Sequence, residues 1–185
     1  MTVTATHDHV VLVDVDGRPT GELALRAEVH STSTPRHLGF SCYVIRDDGR
    51  VLLTRRALGK RTWPGVWTNS LCGHPRLGEA LPDAIARRAE DELGMVLRSP
   101  TTALPDFQYV ATDASGIVEN EFCPVAVARC ATAPEPRSEE VMDLRWVTPD
   151  ELHELARTAP WTLSPWCAAQ VPLLGAHLSA SGTER

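Results

Sequence analysis

Alternation of hydrophobic and polar positions predicts several short strands along the chain. Residues 10–15 are mostly apolar and end at the turn pair Asp16-Gly17, which predicts a first strand. Residues 40–56 place β-rich runs on both sides of Asp47-Asp48-Gly49, which predicts a hairpin. Further strands are predicted over 107–112 and 117–130, with a turn between them.

Helical periodicity is clearest over 79–93, where apolar residues recur every three or four positions and Gly94 follows the last of them. Thr148-Pro149-Asp150-Glu151 has the form of a capping box and predicts a short helix to about residue 157. Ser164-Pro165 begins another helix in the same way, and Pro172 is expected to kink or end it.

These elements predict an α/β (α+β) fold in which helices pack on a mixed sheet. The chain has 185 residues and 43% hydrophobic composition, enough for one substantial core. We therefore expect a single compact domain over 10–178. Residues 1–9 are predicted to form a flexible tail, and residues 179–185 a frayed one.

The net charge of -6 argues against a general nucleic-acid binder, because phosphate contacts require a basic surface. The five cysteines form no CxxC pair, and the polar first residues do not resemble a secretory signal. No run approaches the roughly 18 apolar residues of a membrane-spanning helix. We therefore expect a cytoplasmic protein with no nucleic-acid or membrane partner.

Charged residues of the predicted helix and of the loop before it follow a recognisable spacing. That spacing resembles the Nudix box, at Gly73, Glu79, Arg87, Asp91, Glu92 and Gly94. The resemblance implies a Nudix-like mixed β-sheet sandwiched by helices. Taken alone, such a charge run is more often a solvated helix face with ion pairs.

Two positions depart from the Nudix hydrolase pattern, because Arg88 and Asp91 stand where glutamates are expected. A cation in place of a carboxylate weakens a metal cluster that activates water. Arg88 can nevertheless bind phosphate oxygens through two nitrogens. The departures favour diphosphate binding over hydrolysis.

Two further segments make the resemblance more specific. Residues 63–75 read Trp-Pro-Gly-Val-Trp-Thr-Asn-Ser-Leu-Cys-Gly-His-Pro, and residues 117–124 read Ile-Val-Glu-Asn-Glu-Phe-Cys-Pro. Both resemble type I isopentenyl diphosphate isomerases, and the resemblance runs from about His30 to Trp166. Strand alternation places Glu119 and Glu121 on one face, where both carboxylates can share a metal.

The resemblance implies two metal sites. One would use three imidazoles and two carboxylates, from His30, His37, His74, Glu119 and Glu121. We expect Mn²⁺ or Zn²⁺ there, although this ligand set also admits iron or magnesium. The other would hold Mg²⁺ with the substrate diphosphate at Glu92, assisted by the Cys72 carbonyl. A lone histidine or strand glutamate is more often just a surface residue.

The same resemblance assigns catalytic roles to Cys72, Glu121 and Tyr109. Glu121 would protonate the alkene, Cys72 would take the allylic proton, and Tyr109 would assist proton delivery. Charges near Cys72 are expected to favour its thiolate. Judged alone, Cys72 would more often be a buried core residue, as expected for the other four cysteines.

Substrate binding is assigned by resemblance to cations that grip the diphosphate and to groups near the reacting carbons. The expected residues are Arg26, Arg56, Lys60, Cys72, Arg88 and Trp166. Arg26 stands where the family is expected to have lysine, so the geometry of its contact can differ. Trp166 would lie over a developing carbocation. For Arg36, Arg55, Arg61 and Arg87 we expect a solvated surface.

The sequence thus predicts an enzyme that interconverts isopentenyl diphosphate and dimethylallyl diphosphate in isoprenoid biosynthesis, by adding a proton on one face and removing one on the other. It would act as a monomer or weak homodimer on a small-molecule prenyl diphosphate. Two alternatives are a Nudix pyrophosphohydrolase acting on a nucleoside or prenyl diphosphate and a non-catalytic Nudix-like binding module. Arg88 argues against the first, and the presence of both Cys72 and Glu121 argues against the second.

Overall fold

The computed structural model describes residues 9–179. The predicted tails, and the question whether the first of them orders over the site, lie outside the described residues except for His9 and Ser179. The strands in this part of the chain are β1 (His9–Val13), β2 (Pro19–Leu25), β3 (His37–Leu38), β4 (Phe40–Ile45), β5 (Val51–Arg56), β6 (Trp67–Thr68), β7 (Leu71–Gly73), β8 (Leu97–Leu104), β9 (Gln108–Thr112), β10 (Val118–Phe122), β11 (Val125–Cys130) and β12 (Val141–Val147). The helices are α1 (Arg26–Val29), α2 (Leu81–Leu93), α3 (Pro149–Thr158), α4 (Pro165–Leu174) and α5 (Ala176–Ser179), with a 3₁₀ turn at Pro160–Thr162.

The strands form two sheets. One has the order β2-β1-β3-β10-β9, and the other has the order β12-β5-β4-β11-β8, with β6 added beside β5 and β7 beside β4. The sequence predicts one mixed sheet, whereas the structure has two sheets.

A parallel ladder joins the two sheets. Glu121 of β10 lies opposite His37 of β3, and Val125 of β11 lies opposite Ser41 of β4. Between these strands the backbone N–H of Gly39 donates to the Phe122 carbonyl at 2.9 Å. The register is therefore the same on both sides of the break, and residues 37–45 and 121–129 pair as one continuous unit.

The larger sheet has helices on both faces. Phe40, Cys42 and Val44 of β4 pack with apolar residues of α2. Tyr43 and Ile45, which alternate with them, pack with residues of α3 and α4. The predicted α/β class, in which helices pack on both faces of a mixed sheet, is confirmed. No helix between residues 9 and 179 has the length and apolar character needed to cross a membrane.

Local sequence signals placed several elements correctly. The hairpin forms from β4 and β5, and α2 ends at Gly94, whose φ of 58° is left-handed. Helix α2 begins at Leu81, two residues later than predicted. Pro172 lies inside α4, which continues to Leu174.

The predicted strand over 117–130 is wrong as a single element, because the chain forms β10 and β11 with a break at Cys123 and Pro124. Pro124 has no N–H to donate, and the Cys123 N–H donates to the Phe107 carbonyl at 2.8 Å. Strands β2, β8 and β12 were not predicted.

Helix α3 has the complete capping box that its sequence predicts. The Thr148 hydroxyl accepts from the Glu151 N–H at 3.2 Å, and the Glu151 carboxylate accepts from the Thr148 N–H at 2.7 Å. Both bonds satisfy donors that the first helical turn leaves unpaired.

Thr148→Ala is expected to lower the free energy of unfolding by about 1 kcal/mol, because one N-terminal donor loses its acceptor. Urea denaturation measures the change. Thr158→Ala is the matched control, since this exposed threonine ends the same helix and donates to the Glu154 carbonyl. An equal loss in both variants would contradict a specific role for the cap.

Candidate functional site

The sequence-predicted residues meet in one cavity of about 450 Å³. Residues from both sheets and from α1, α2 and α4 form its walls. Those predicted from the sequence are Arg26, His30, Arg56, Lys60, Cys72, His74, Arg88, Glu92, Tyr109, Glu119, Glu121 and Trp166. His37, the remaining predicted ligand, is fully buried beside Glu121.

Three imidazoles and one carboxylate converge at one part of the site. His30 follows α1, His37 begins β3, His74 follows β7, and Glu121 lies on β10. One ligand atom from each of these four residues lies within 4.8 Å of the others. The arrangement brings nitrogen and oxygen ligands together from four separate elements.

The tautomer of His37 shows what the cluster requires. Its Nδ1 lies 3.0 Å from the Pro35 carbonyl, an acceptor, so Nδ1 carries the hydrogen and Nε2 presents a lone pair to the cluster. There Nε2 lies 3.6 Å from Glu121 Oε1 and has no hydrogen-bond partner in the described part of the chain. Two acceptors thus face each other, and a cation between them satisfies both.

The pKa values of His37 and Glu121 also indicate that the cluster requires positive charge. Burial acts to lower the pKa of His37, but the Glu121 carboxylate outweighs it and raises that pKa. Burial acts to raise the pKa of Glu121, but His37 and His74 outweigh it and hold that pKa well below its usual range. A proton or a metal ion can therefore supply the positive charge that the carboxylate needs.

Glu119 adjoins this cluster through His30. Within residues 9–179 its Oε2 lies 2.9 Å from His30 Nε2 without a partner of hydrogen-bond geometry, while its Oε1 accepts from the Thr62 hydroxyl at 2.8 Å. The group whose ligand atoms lie within 4.8 Å of one another does not include Glu119. The three imidazoles and Glu121 fit a divalent metal with mixed nitrogen and oxygen ligands, and Glu119 lies beside one of them.

Gly39 leaves the space that the Glu121 carboxylate occupies. A Cβ at this position would overlap Glu121 Oε2 and Cδ. The glycine is therefore required by the close approach of the carboxylate.

Cys72 lies on β7 opposite Ser41 of β4. Burial raises the pKa of the Cys72 thiol, and the thiol donates to Asn69 Oδ1 at 3.2 Å. Burial thus opposes the thiolate, while the metal charge that was expected to favour it would act in the other direction, so the thiolate stays a prediction.

Asn69 links the thiol to the aromatic wall. Its Oδ1 also accepts from Trp166 Nε1 at 2.9 Å and from the Thr68 hydroxyl at 2.9 Å. Since the indole N–H can only donate, it fixes which end of the amide faces Cys72. The amide nitrogen donates to the Leu71 carbonyl at 2.7 Å. One buried amide thus orients both Cys72 and Trp166.

An aromatic wall surrounds Trp166. Its ring centroid lies 5.5 Å from that of Tyr109 and 5.3 Å from that of Trp63, which meets it edge-on. The Arg56 guanidinium lies over the indole, 5.6 Å from its centroid. Trp63 has a φ of 42°, a left-handed conformation that is rare for a bulky residue.

The basic part of the cavity already contains ion pairs. Lys60 binds the Glu140 carboxylate, and Arg88 binds Glu92 one helical turn away. Arg56 donates to the Thr62 carbonyl at 2.8 Å and 3.0 Å.

The expectation of a solvated surface is wrong for Arg87, whose guanidinium donates through two nitrogens to the Glu79 carboxylate at 2.7 Å and 2.8 Å. The same side chain donates to the His74 carbonyl at 3.2 Å, and Glu79 accepts from the Arg76 N–H at 2.8 Å. Arg87 therefore fixes the loop that carries His74. Arg61 is exposed, as expected, but it also lines the cavity and donates to the Ala27 carbonyl.

Sequence reasoning missed the residues that orient the site. These are Gly39, Ser41, Thr62, Asn69, Glu140 and Gln170. A signal existed only for Asn69, which lies in the 63–75 motif on which the family resemblance rests. The partners of the others are far away in the chain.

Comparisons of the sequence find close relatives along most of its length. A family model described as the NUDIX domain matches residues 35–167. The isopentenyl-diphosphate Delta-isomerase of Kocuria rhizophila is 54% identical, over 92% of this chain and 94% of that protein. The protein of the same name from Agromyces mediolanus is 55% identical, over 92% of this chain and 84% of that protein.

Solved structures share the fold at much lower identity. A Deinococcus radiodurans protein superposes with a TM-score of 0.68 at 18% identity, over 90% of this chain and 99% of that chain. A MutT NUDIX hydrolase from Burkholderia pseudomallei gives a TM-score of 0.58 at 23% identity, over 75% of this chain and 98% of that chain. These similarities show the fold alone.

Gly39→Ala is expected to reduce the binding of Mn²⁺ or Zn²⁺ at least about tenfold, because the new methyl group displaces the Glu121 carboxylate. The metal content of the purified, metal-loaded protein measures the effect. Gly59→Ala is the matched control, since a Cβ at that position meets no atom within 4 Å. Equal metal content in the two variants would show that Glu121 is not a ligand.

Proposed function

The chain belongs to the NUDIX family and, within it, to the isopentenyl-diphosphate Delta-isomerases, and we infer from this membership that its cavity interconverts isopentenyl diphosphate and dimethylallyl diphosphate. It is therefore an isomerase whose substrate is a small prenyl diphosphate. The observation that supports this most directly is that Cys72 and Glu121 line one cavity together with the cations Lys60 and Arg88.

We propose that Cys72 and Glu121 form the proton-transfer pair. In the direction from isopentenyl to dimethylallyl diphosphate, Glu121 adds a proton to the terminal alkene carbon, and Cys72 removes a proton from the carbon on the other side of the resulting tertiary cation. In the reverse direction the two residues exchange roles. The substrate lies between them, so that one proton arrives on one face and another leaves from the opposite face.

Each conversion leaves the two groups with exchanged protonation states. After a forward conversion Cys72 is a thiol and Glu121 a carboxylate, and this is the pair from which the reverse conversion starts. Each forward turnover therefore requires one proton to return to Glu121 and one to leave Cys72. Tyr109, which pairs with Glu121 between β9 and β10 and lines the same cavity, is proposed to relay the proton to Glu121, since a phenol hydroxyl can give up one proton as it accepts another.

Trp166 is proposed to stabilise the developing cation. The face of an indole attracts positive charge without offering a nucleophile that could trap it. The Asn69 hydrogen bonds set the indole and the thiol in a fixed relation, so the cation would form next to the base that removes its proton.

We propose that His30, His37, His74, Glu119 and Glu121 hold one divalent metal, of the Mn²⁺ or Zn²⁺ type. When bound, such an ion supplies positive charge that fixes the carboxylates and the imidazole tautomers. A second ion, Mg²⁺, would accompany the diphosphate at Glu92, assisted by the Cys72 carbonyl. Arg26, Arg56, Lys60 and Arg88 would bind the diphosphate oxygens.

Hydrolysis of a nucleoside or prenyl diphosphate is the alternative that the fold permits. Arg88 opposes it, because this cation replaces a carboxylate and binds Glu92, the carboxylate nearest to it on α2. A non-catalytic binding module would have no use for Cys72 and Glu121 together. We retain the predictions of a cytoplasmic location and of a monomer or weak homodimer.

The protein with Mg²⁺ and isopentenyl diphosphate in heavy water is expected to give dimethylallyl diphosphate with deuterium in the positions that exchange protons. Proton NMR follows both the product and the isotope. Phosphate release without isomerisation would instead identify a hydrolase.

Cys72→Ala is expected to lower kcat at least about a thousandfold, because it removes an acid/base group from the reacting carbons, and to leave the metal content unchanged. Cys130→Ala, which changes a partly buried thiol on β11, serves as the control. Loss of metal in the Cys72 variant, or full activity, would contradict its role in proton transfer.

A further inference from the structure

The backbones of Lys60 and Glu140 are both hydrogen-bonded to Ala57. The Ala57 N–H donates to the Glu140 carbonyl at 3.0 Å, and the Lys60 N–H donates to the Ala57 carbonyl at 3.1 Å. The next residue after Glu140, Val141, pairs with Arg56 across β12 and β5. The backbone therefore fixes the separation of the two side chains, and their ion pair is part of the fold.

The Glu140 carboxylate lies among the cations assigned to the diphosphate. Its Oε2 binds Lys60 Nζ, and the same oxygen is 3.9 Å from Arg88 Nη2. The Lys60 and Glu140 side chains are only 20% and 23% exposed. One anionic oxygen thus lies between two cations, as an oxygen of a bound phosphate would.

Burial explains why such an anion is needed. Burial lowers the pKa of Lys60, and the Glu140 carboxylate counteracts this. Burial likewise lowers the pKa of Arg88, and the Glu140 carboxylate opposes that lowering. Without Glu140, Lys60 would lose solvation with no compensating ion pair among the described residues, and Arg88 would keep only Glu92.

We propose that Glu140 is a resident counter-ion of the diphosphate subsite, and that ligand binding requires the diphosphate to displace its carboxylate from Lys60. This inference rests on the proposed function, which assigns Lys60 and Arg88 to the diphosphate. It adds a residue that tunes the affinity and the metal requirement of this subsite.

Displacement of Glu140 selects for a diphosphate that arrives with a divalent cation. A free diphosphate would bring several negative charges into a cavity that already contains Glu92 and the displaced Glu140 carboxylate. A bound Mg²⁺ lowers the charge of the ligand and offers a hard cation to the carboxylate oxygens. Glu140 therefore penalises the metal-free ligand more than the metal complex.

Isothermal titration with inorganic pyrophosphate, in the presence of EDTA or of excess Mg²⁺, tests the proposal. Glu140→Gln keeps the size of the side chain and removes its charge. We expect this variant to bind metal-free pyrophosphate about tenfold tighter than the parent protein, because the competing charge-assisted pair is lost. The gain with Mg²⁺ should be smaller, so the affinity ratio between the two conditions decreases.

Glu139→Gln is the matched control, because it removes the same charge from the adjacent residue. Among the described residues, the Glu139 carboxylate accepts only from the Ser138 hydroxyl at 3.5 Å and makes no ion pair with Lys60 or Arg88. Its effect on pyrophosphate affinity should stay within about twofold. Equal gains in both variants would reduce the effect to net charge and overturn the counter-ion role.

The proposal would also be overturned if Glu140→Gln bound metal-free pyrophosphate no more tightly than the parent protein does. The Lys60→Ala variant distinguishes that outcome from a failure of the proposed function. If this variant bound pyrophosphate as tightly as the parent protein, Lys60 would not belong to the diphosphate subsite. If Glu140→Gln is destabilised, thermal unfolding with and without pyrophosphate compares ligand binding by the variant and by the parent protein. The ligand should then raise the melting temperature more in Glu140→Gln than in the parent protein, and an equal rise would count against it.

Discussion

The parallel ladder between residues 37–45 and 121–129 is the constraint on which the site depends. It continues without a change of register through both sheets. At its first pair it sets Glu121 beside His37, and four residues further along it sets Ser41, the partner of Cys72, in the central strand of the larger sheet. Because strand residues alternate between faces, a slip of one residue would turn Glu121 away from the imidazoles. The metal ligands and the thiol are thus positioned by one set of backbone hydrogen bonds.

Charge in the cavity is balanced internally at two separate places. At the imidazole cluster, the Glu121 carboxylate draws a proton towards His37, and a metal ion can take the place of that proton. At the basic part, Glu92 and Glu140 neutralise Arg88 and Lys60. In the basic part the protein satisfies these buried charges with its own groups, whereas at the imidazole cluster His37 Nε2 has no hydrogen-bond partner among the described residues. A diphosphate would therefore bind by displacing an ion pair, which lowers its affinity but keeps the cavity folded.

Much of the architecture follows from local sequence, and the remainder depends on contacts that local sequence does not encode. The capping box at Thr148 and the end of α2 at Gly94 are short-range features, and both were predicted. Strand β8 was missed because half of its residues are exposed, none is fully buried, and the pattern shows no regular alternation. The break at Cys123 depends on a carbonyl from Phe107 as well as on Pro124. The predicted site residues were identified from short motifs, and the structure brings them together. Thr62 and Glu140 were not identified from the sequence, because their roles depend on contacts between segments that are distant in the chain.

Trp63 shows how packing holds a strained backbone in place. A non-glycine residue in the left-handed region costs about 1–2 kcal/mol relative to a relaxed backbone. The conformation brings the Trp63 and Trp166 rings together at nearly a right angle and so closes one side of the aromatic wall. Glycine would relieve the strain but remove that wall, together with the packing of the indole against the apolar cluster around Trp166. Because the loss of a packed aromatic side chain costs up to about 3–5 kcal/mol, more than the strain, selection for thermal resistance would keep Trp63 just as selection for turnover would.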